Sequence, residues 1–198
     1  MTTTTDCLPD GIVVYGASSA RIAPAYKEAA YELGRQIALS GMTLVTGGGR
    51  SGLMAASIDG ALAEHGTVVG VLPQFMVDRQ WGHPGLTRQV VTPDMHSRKS
   101  TMARLSRAAI ALPGGCGTLE ELLEIITWRQ LGLFQGNVVV ADFEGYYEPL
   151  LAMLSRSIDE GFMRPDHTEL WSVAATPAQA VELALRPVEI KPFSQKIE

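Results

Sequence analysis

Arg98 and Glu121 are the two side chains whose type and setting suit them best for chemistry. Glu121 follows a strand-like run ending at Leu112 and a glycine turn, Pro113-Gly114-Gly115-Cys116-Gly117-Thr118, that leads straight into a helical pattern. Glycines let backbone N–H groups converge on a bound group, and a helix N-terminus favours an anion, so the turn reads as a phosphate cradle. Thr118 can cap the helix or touch the phosphate. Glu121 has two readings. Thr118-x-x-Glu121 has the form of a capping box, which needs no substrate. A carboxylate beside an anion-binding helix start can equally face the ligand, and spacing alone leaves both open.

Arg98 lies in Asp94-Met95-His96-Ser97-Arg98-Lys99, which opens another helix. Met95, Met102 and Leu105 mark its apolar face at helical spacing, and Arg98 projects from that face. A cation there needs an anionic partner, because an unpaired buried charge is costly. A ligand is the favoured partner, and an ion pair with a carboxylate, Glu121 included, is the alternative. Arg104 and Arg107 fall away from the stripe and are expected to be solvated. A further turn, Gly47-Gly48-Gly49-Arg50-Ser51-Gly52, spells G-x-G-x-x-G between a strand and a helix. The next strand ends Val71-Leu72-Pro73-Gln74 with no acid for a ribose, so close backbone approach to some ligand is favoured over a dinucleotide. Cys116 has no histidine placed to activate it and reads as a loop filler.

The elements that must position these groups alternate along the chain. Gly11–Tyr15, Thr43–Thr46, Thr67–Leu72, Ala108–Leu112 and Val138–Ala141 are apolar without alternation, as buried parallel strands are. Pro24–Leu39, Leu53–His65, Met95–Ser106, Leu119–Leu131 and Tyr147–Glu160 read as helices. Gly41, Gly66, Gly132 and Gly161 sit where left-handed C-caps belong, and a last helix starts at Thr176-Pro177. This order predicts an α/β, Rossmann-like, doubly wound and mainly parallel sheet flanked by helices, one domain over 10–186, with tails at 1–9 and 187–198. Ligands then bind beyond the carboxyl ends of the strands, where Gly16–Ser19, Gly47–Gly52 and Gly114–Gly117 fall. Pro73–Thr87 is expected to be the longest loop.

Composition narrows the partners. The 198 residues carry a formal charge of −5, which argues against a nucleic-acid polymer or an anionic membrane. No apolar run approaches the roughly 20 residues of a spanning helix, and the N-terminus has no signal-peptide pattern, so a cytoplasmic protein is expected. Cys7 and Cys116 match no zinc spacing, and His65, His83, His96 and His167 are scattered, so no metal is expected. Apolar residues spread beyond one face of Leu119–Leu131, which predicts a homodimer.

Met95-His96-Ser97-Arg98-Lys99 followed by Pro113-Gly114-Gly115-Cys116-Gly117-Thr118-Leu119-Glu120-Glu121 resembles the LONELY GUY family, nucleoside 5′-monophosphate phosphoribohydrolases that activate cytokinins and were long mislabelled as lysine decarboxylases. The likeness runs from Val14-Tyr15-Gly16 through Gly47-Gly48-Gly49 and Thr127–Gly132 to Gly145-Tyr146-Tyr147. It implies a Rossmann-like fold, a homodimer, no cofactor, and hydrolysis of the base–ribose bond of AMP or a cytokinin riboside monophosphate. By the resemblance Arg98 and Glu121 match the catalytic pair; Lys99, Gly114, Gly115, Cys116, Gly117, Thr118, Leu119, Glu120 and Thr127 match substrate-binding positions. Gly47 and Gly48 join them as the second turn. Two departures bear on base specificity. Pro73–Thr87 has no glutamate where members often have a substrate-contacting one, and the first turn reads Gly16-Ala17-Ser18-Ser19 instead of a Gly-Ser-Ser form. A pyridoxal-phosphate decarboxylase is disfavoured, since two of the four lysines, Lys191 and Lys196, lie in the tail. The alternative class is a non-catalytic carrier of a nucleotide or molybdenum cofactor, which looks similar around the same turn.

Overall fold

The apolar, β-branched runs form the centre of a sheet because both of their faces must be covered, and helices cover both. The structure is a computed structural model that describes residues 10–188; 1–9 and 189–198, most of the two expected tails, lie outside the described residues. In chain order the elements are β1 (Gly11–Tyr15), α1 (Pro24–Leu39), β2 (Thr43–Thr46), α2 (Gly52–Ala63), β3 (Val68–Pro73), α3 (Gln74–Asp78), β4 (Arg88–Thr92), α4 (Met95–Arg104), β5 (Ser106–Ala111), α5 (Cys116–Gln130), β6 (Asn137–Ala141), α6 (Glu148–Asp159), β7 (Ser172–Ala174) and α7 (Pro177–Leu185). Two 3₁₀ segments, Phe143–Gly145 and Pro165–Leu170, flank α6.

The seven strands are all parallel, in the order β4-β3-β2-β1-β5-β6-β7. The doubly wound α/β fold expected from the alternation is the fold observed. The even-numbered positions of β1, Ile12 and Val14, bury against α1, α2 and α7 through Leu33, Leu53, Ile58 and Ala180. Val13 and Tyr15 bury on the other side with Met102 of α4 and Leu122 and Ile125 of α5. The order reverses between β1 and β5, whose ends register Val14 to Ile110 and Tyr15 to Ala111. That reversal opens a crevice at the carboxyl ends of the strands.

Two strands and one helix were not legible. β4 and β7 are edge strands; β4 shows mostly exposed side chains and β7 has three residues, so neither needs a continuous apolar run. The stretch Pro73–Thr87 holds α3 as well as loop. Met95–Ser106 divides, with α4 ending at Arg104 and β5 beginning at Ser106, so Arg107 is a strand residue. Gly41, Gly132 and Gly161 take the left-handed conformation (φ 75, 72 and 81°), but after α2 it is His65, at φ 56°, that does so and not Gly66. Thr176 caps α7 as expected, its hydroxyl accepting from the Gln179 N–H at 3.2 Å. No helix of the described residues is long and apolar enough to cross a membrane.

Candidate active site

Arg98 reaches the crevice because of how α4 begins. Asp94 is the N-cap, its carboxylate accepting from the Ser97 N–H at 2.7 Å. The helix turned this way buries Arg98, Lys99, Met102 and Ala103, whereas Met95, expected on the same face, is exposed. Arg98 Nε donates to the Val71 carbonyl on β3 at 3.0 Å, and Nη1 donates to Glu121 Oε1 at 3.0 Å. A Cβ at Gly47 would fall on Arg98 Nη2, so the residue just after β2 must be glycine for the guanidinium to lie there. Gly48 is left-handed at φ 69°, and its carbonyl accepts from the His83 N–H at 2.8 Å, which ties the second turn to the loop after α3.

The Thr118–Glu121 capping box is not formed. Helix α5 starts at Cys116 with Gly115 as its N-cap, so Thr118 is its third residue and Glu121 its sixth. Glycines at 114, 115 and 117 let the chain enter the helix three residues before the apolar pattern begins. The N–H groups of Gly115, Cys116, Gly117 and Thr118 precede the first helical bond, from the Leu119 N–H to Gly115 O at 3.0 Å, and point out of the helix start. Gly115, Cys116 and Gly117 are exposed; Gly114 and Thr118 are buried, and a Cβ at Gly114 would collide with the Thr118 side chain. The turn is anchored from outside by two tyrosines. Tyr147 Oη donates to the Leu112 carbonyl at 2.7 Å and Tyr146 Oη to the Gly114 carbonyl at 2.9 Å. The Tyr147 N–H donates to Asp142 at 2.6 Å.

Freed from capping, Glu121 turns toward the core side of α5. Its side chain is 12% exposed and that of Arg98 7%. Burial pushes the Glu121 carboxyl above the usual glutamate range, against the pull of Arg98. Oε1 is held by Arg98, and Oε2 accepts no hydrogen bond from any described residue. Tyr15, at the end of β1, is buried near the pair, and burial followed by the Glu121 charge pushes its hydroxyl far up, so it stays protonated. Tyr15, Tyr146, Tyr147 and Val71 carry no signal in spacing; the three tyrosines stand in resembling segments, and Val71 does not.

The remaining expected positions divide. Lys99 is buried, and its Nζ bonds Glu120 and Glu124, the latter at 3.1 Å. Burial works to lower its pKa, and the two carboxylates outweigh that and raise it. Its charge is therefore already matched by α5. Leu119 is half-buried against the core. Thr127 is exposed, its hydroxyl donating to Leu123 O at 2.8 Å, and it lies about 16 Å along the helix from Cys116. Within the described chain Thr127 is not brought to the turn. A cavity of about 580 Å³ adjoins the second glycine turn, where Gly49 bridges Gly82, and is lined by Arg50, Gln80, His83 and Gln89 among others.

Fold and site define a doubly wound α/β protein with a glycine turn opening a helix and a buried Arg–Glu pair at the sheet's switch point. Comparisons agree. A family model described as "Possible lysine decarboxylase" matches residues 54–184. A cytokinin riboside 5′-monophosphate phosphoribohydrolase of Rhodococcoides fascians is 42% identical over 158 residues, 79% of this chain and 80% of that protein. One from Arabidopsis thaliana is 38% identical over 186 residues, covering 94% and 86%. Among solved structures, the molybdenum cofactor carrier protein of Chlamydomonas reinhardtii superposes with a TM-score of 0.65 at 28% identity, covering 87% of this chain and 93% of that one. The chain belongs to the LONELY GUY family, the one that the lysine decarboxylase description covers.

Proposed function

We propose that this protein hydrolyses the N-glycosidic bond of a nucleoside 5′-monophosphate, AMP or a cytokinin riboside monophosphate, to free base and ribose 5-phosphate. The observation that carries the reading is the Arg98–Glu121 pair, which leaves one carboxylate oxygen unclaimed next to an anion-binding helix start. The printed activities of the Rhodococcoides fascians and Arabidopsis thaliana relatives support it.

In this reading the phosphate sits on the N–H groups at Gly114–Thr118 and fixes the ribose. The C1′–N bond breaks as the ring oxygen shares the developing positive charge, and Glu121 Oε2 stabilises that cation. Water adds to C1′ and loses a proton, and the departing base gains one. Arg98 holds Glu121 in place through Oε1 and is itself held by Val71. No cofactor or metal enters this scheme.

Incubation with a panel of monophosphates, with release of base and ribose 5-phosphate as readout, tests the reading. AMP should be turned over and adenosine far less, because the lost phosphate contacts are charge-assisted hydrogen bonds worth roughly 1.5–3 kcal/mol each. Equal efficiency on both would remove the phosphate role from the turn. Tight nucleotide or molybdenum-cofactor binding without turnover would favour the carrier reading, which the Chlamydomonas reinhardtii neighbour keeps open.

The working form in this proposal is a cytoplasmic homodimer. Leu123 on α5, Met153 on α6 and Phe162 just beyond it are 40, 59 and 81% exposed, apolar area that a two-fold contact would cover. Light scattering at micromolar concentration should show twice the 21.3 kDa chain mass. The free, exposed thiol of Cys116 suits a reducing compartment. The acidic surface is unsuited to a nucleic-acid or membrane partner.

A further inference from the structure

The amino end of the sheet, opposite the crevice, carries a concentration of positive charge that the proposed reaction does not use. Arg104 ends α4, Arg107 lies on β5 and Arg186 follows α7. All three line one cavity of about 300 Å³, and no Asp or Glu is among its lining residues. In a chain of net charge −5 that is a local reversal of sign. The three guanidiniums are lightly engaged. Arg104 Nη2 donates to the Thr101 hydroxyl at 3.1 Å. Arg186 pairs with Glu182 at 2.9 Å, with both side chains more than half exposed, a contact that solvent screens heavily. The Arg107 side chain is half-buried and makes no hydrogen bond or ion pair with a described residue.

The cavity also has an apolar wall. Leu133 and Phe134 line it and continue into an adjoining cavity of about 210 Å³, which Arg104 shares and Trp128 backs. Leu133 is 71% exposed, unusual for a leucine beside an indole and a phenyl ring that are largely covered. Charge and apolar surface thus meet in one place, since Arg104, Leu133 and Phe134 line both cavities. Guanidinium forks match the oxygens of a phosphate, and several around one site favour a dianion over a monoanion.

We propose that Arg104, Arg107 and Arg186 form a second anion site, which takes a small phosphate monoester with its apolar body against Leu133, Phe134 and Trp128. It shares no residue with the crevice and does not depend on the reaction proposed there.

Phenyl phosphate is a suitable probe, because it carries both parts and has no glycosidic bond. Titrated into the full-length protein and followed by backbone amide NMR, it should shift Arg107, Phe134 and Gly136 as one saturating set. Any binding at the glycine turn appears separately at Gly115–Thr118. In Arg104→Ala/Arg107→Ala the first set should weaken at least tenfold while the second is unchanged. Leu133→Glu, which puts a carboxylate at the mouth without touching an arginine, should weaken it likewise. A wild-type titration that leaves Arg107, Phe134 and Gly136 unmoved overturns the site, as does an unchanged midpoint in the double variant.

Discussion

Arg98 and Glu121, 23 residues apart in sequence, meet at 3.0 Å where α4 and α5 converge over the carboxyl ends of β3 and β5. The pair is itself the ion-pair alternative to a bound ligand, and it does not use up either partner. Arg98 is anchored twice, on Glu121 and on Val71 O, while Glu121 keeps Oε2. Breaking a buried pair by truncating one partner is costly, so the sharpest tests keep shape and change charge.

Glu121→Gln should lower turnover by roughly two orders of magnitude or more, the scale of a lost electrostatic contribution, with little change in substrate binding. Since the capping box is not formed, no helix-start contact is lost with it. Arg98→Ala should lower turnover because it frees Glu121 to move, and should also weaken binding because it takes a cation away from an anionic substrate. Near-normal kcat in a folded Glu121→Gln protein would end the catalytic assignment.

The pH dependence has a defined sign. Burial raises the Glu121 carboxyl and Arg98 pulls it down. If the carboxylate is the working form, kcat/KM should rise with pH through an apparent value above the ordinary glutamate figure of about 4.3. Arg98→Ala should move that limb further up, and Glu121→Gln should abolish it. Stability runs the other way. A raised folded pKa means that the stabilising contribution is complete below the unfolded value and is lost as pH rises through the folded one. The Tm of Glu121→Gln relative to wild type should therefore climb between acidic and neutral pH; a falling difference would contradict the burial cause.

Gly47→Ala tests the seat of Arg98. The nearest atoms to the added methyl are the far ends of the Arg98 and Met54 side chains, so the fold should survive with Tm lowered by only a few degrees. The guanidinium must shift, and kcat/KM should drop by about tenfold or more, as displaced catalytic groups do. Unchanged kinetics would show that the position of Arg98 is not critical.

Tyr147→Phe removes only the hydroxyl that bonds Leu112 O. With a buried carbonyl left short of a donor, stability should fall by about 1–3 kcal/mol, read from the denaturant midpoint. Loss of affinity for the monophosphate would accompany it if the tyrosine holds the turn in register. Wild-type stability would show that water replaces the bond.

The central sheet, the helices between its strands and the glycine turn are legible in the sequence because their signals are local. Two-sided burial demands apolar runs, as in Val138–Ala141, and a chain that turns tightly from strand into helix demands glycines, as in Gly114–Gly117. The edge strands β4 and β7 were illegible because one open flank relaxes the demand for apolar residues. What Glu121 does could not be read from its spacing. Whether it caps or faces the crevice depends on where α5 begins, and that is set by Thr118 packing under Gly114 and by tyrosines about 30 residues downstream. The partners of Arg98 and Lys99 were likewise decided by tertiary structure. Both side chains come from the buried face of one helix, and only the packing of α4 against α5 gives the first to Glu121 and the second to Glu120 and Glu124.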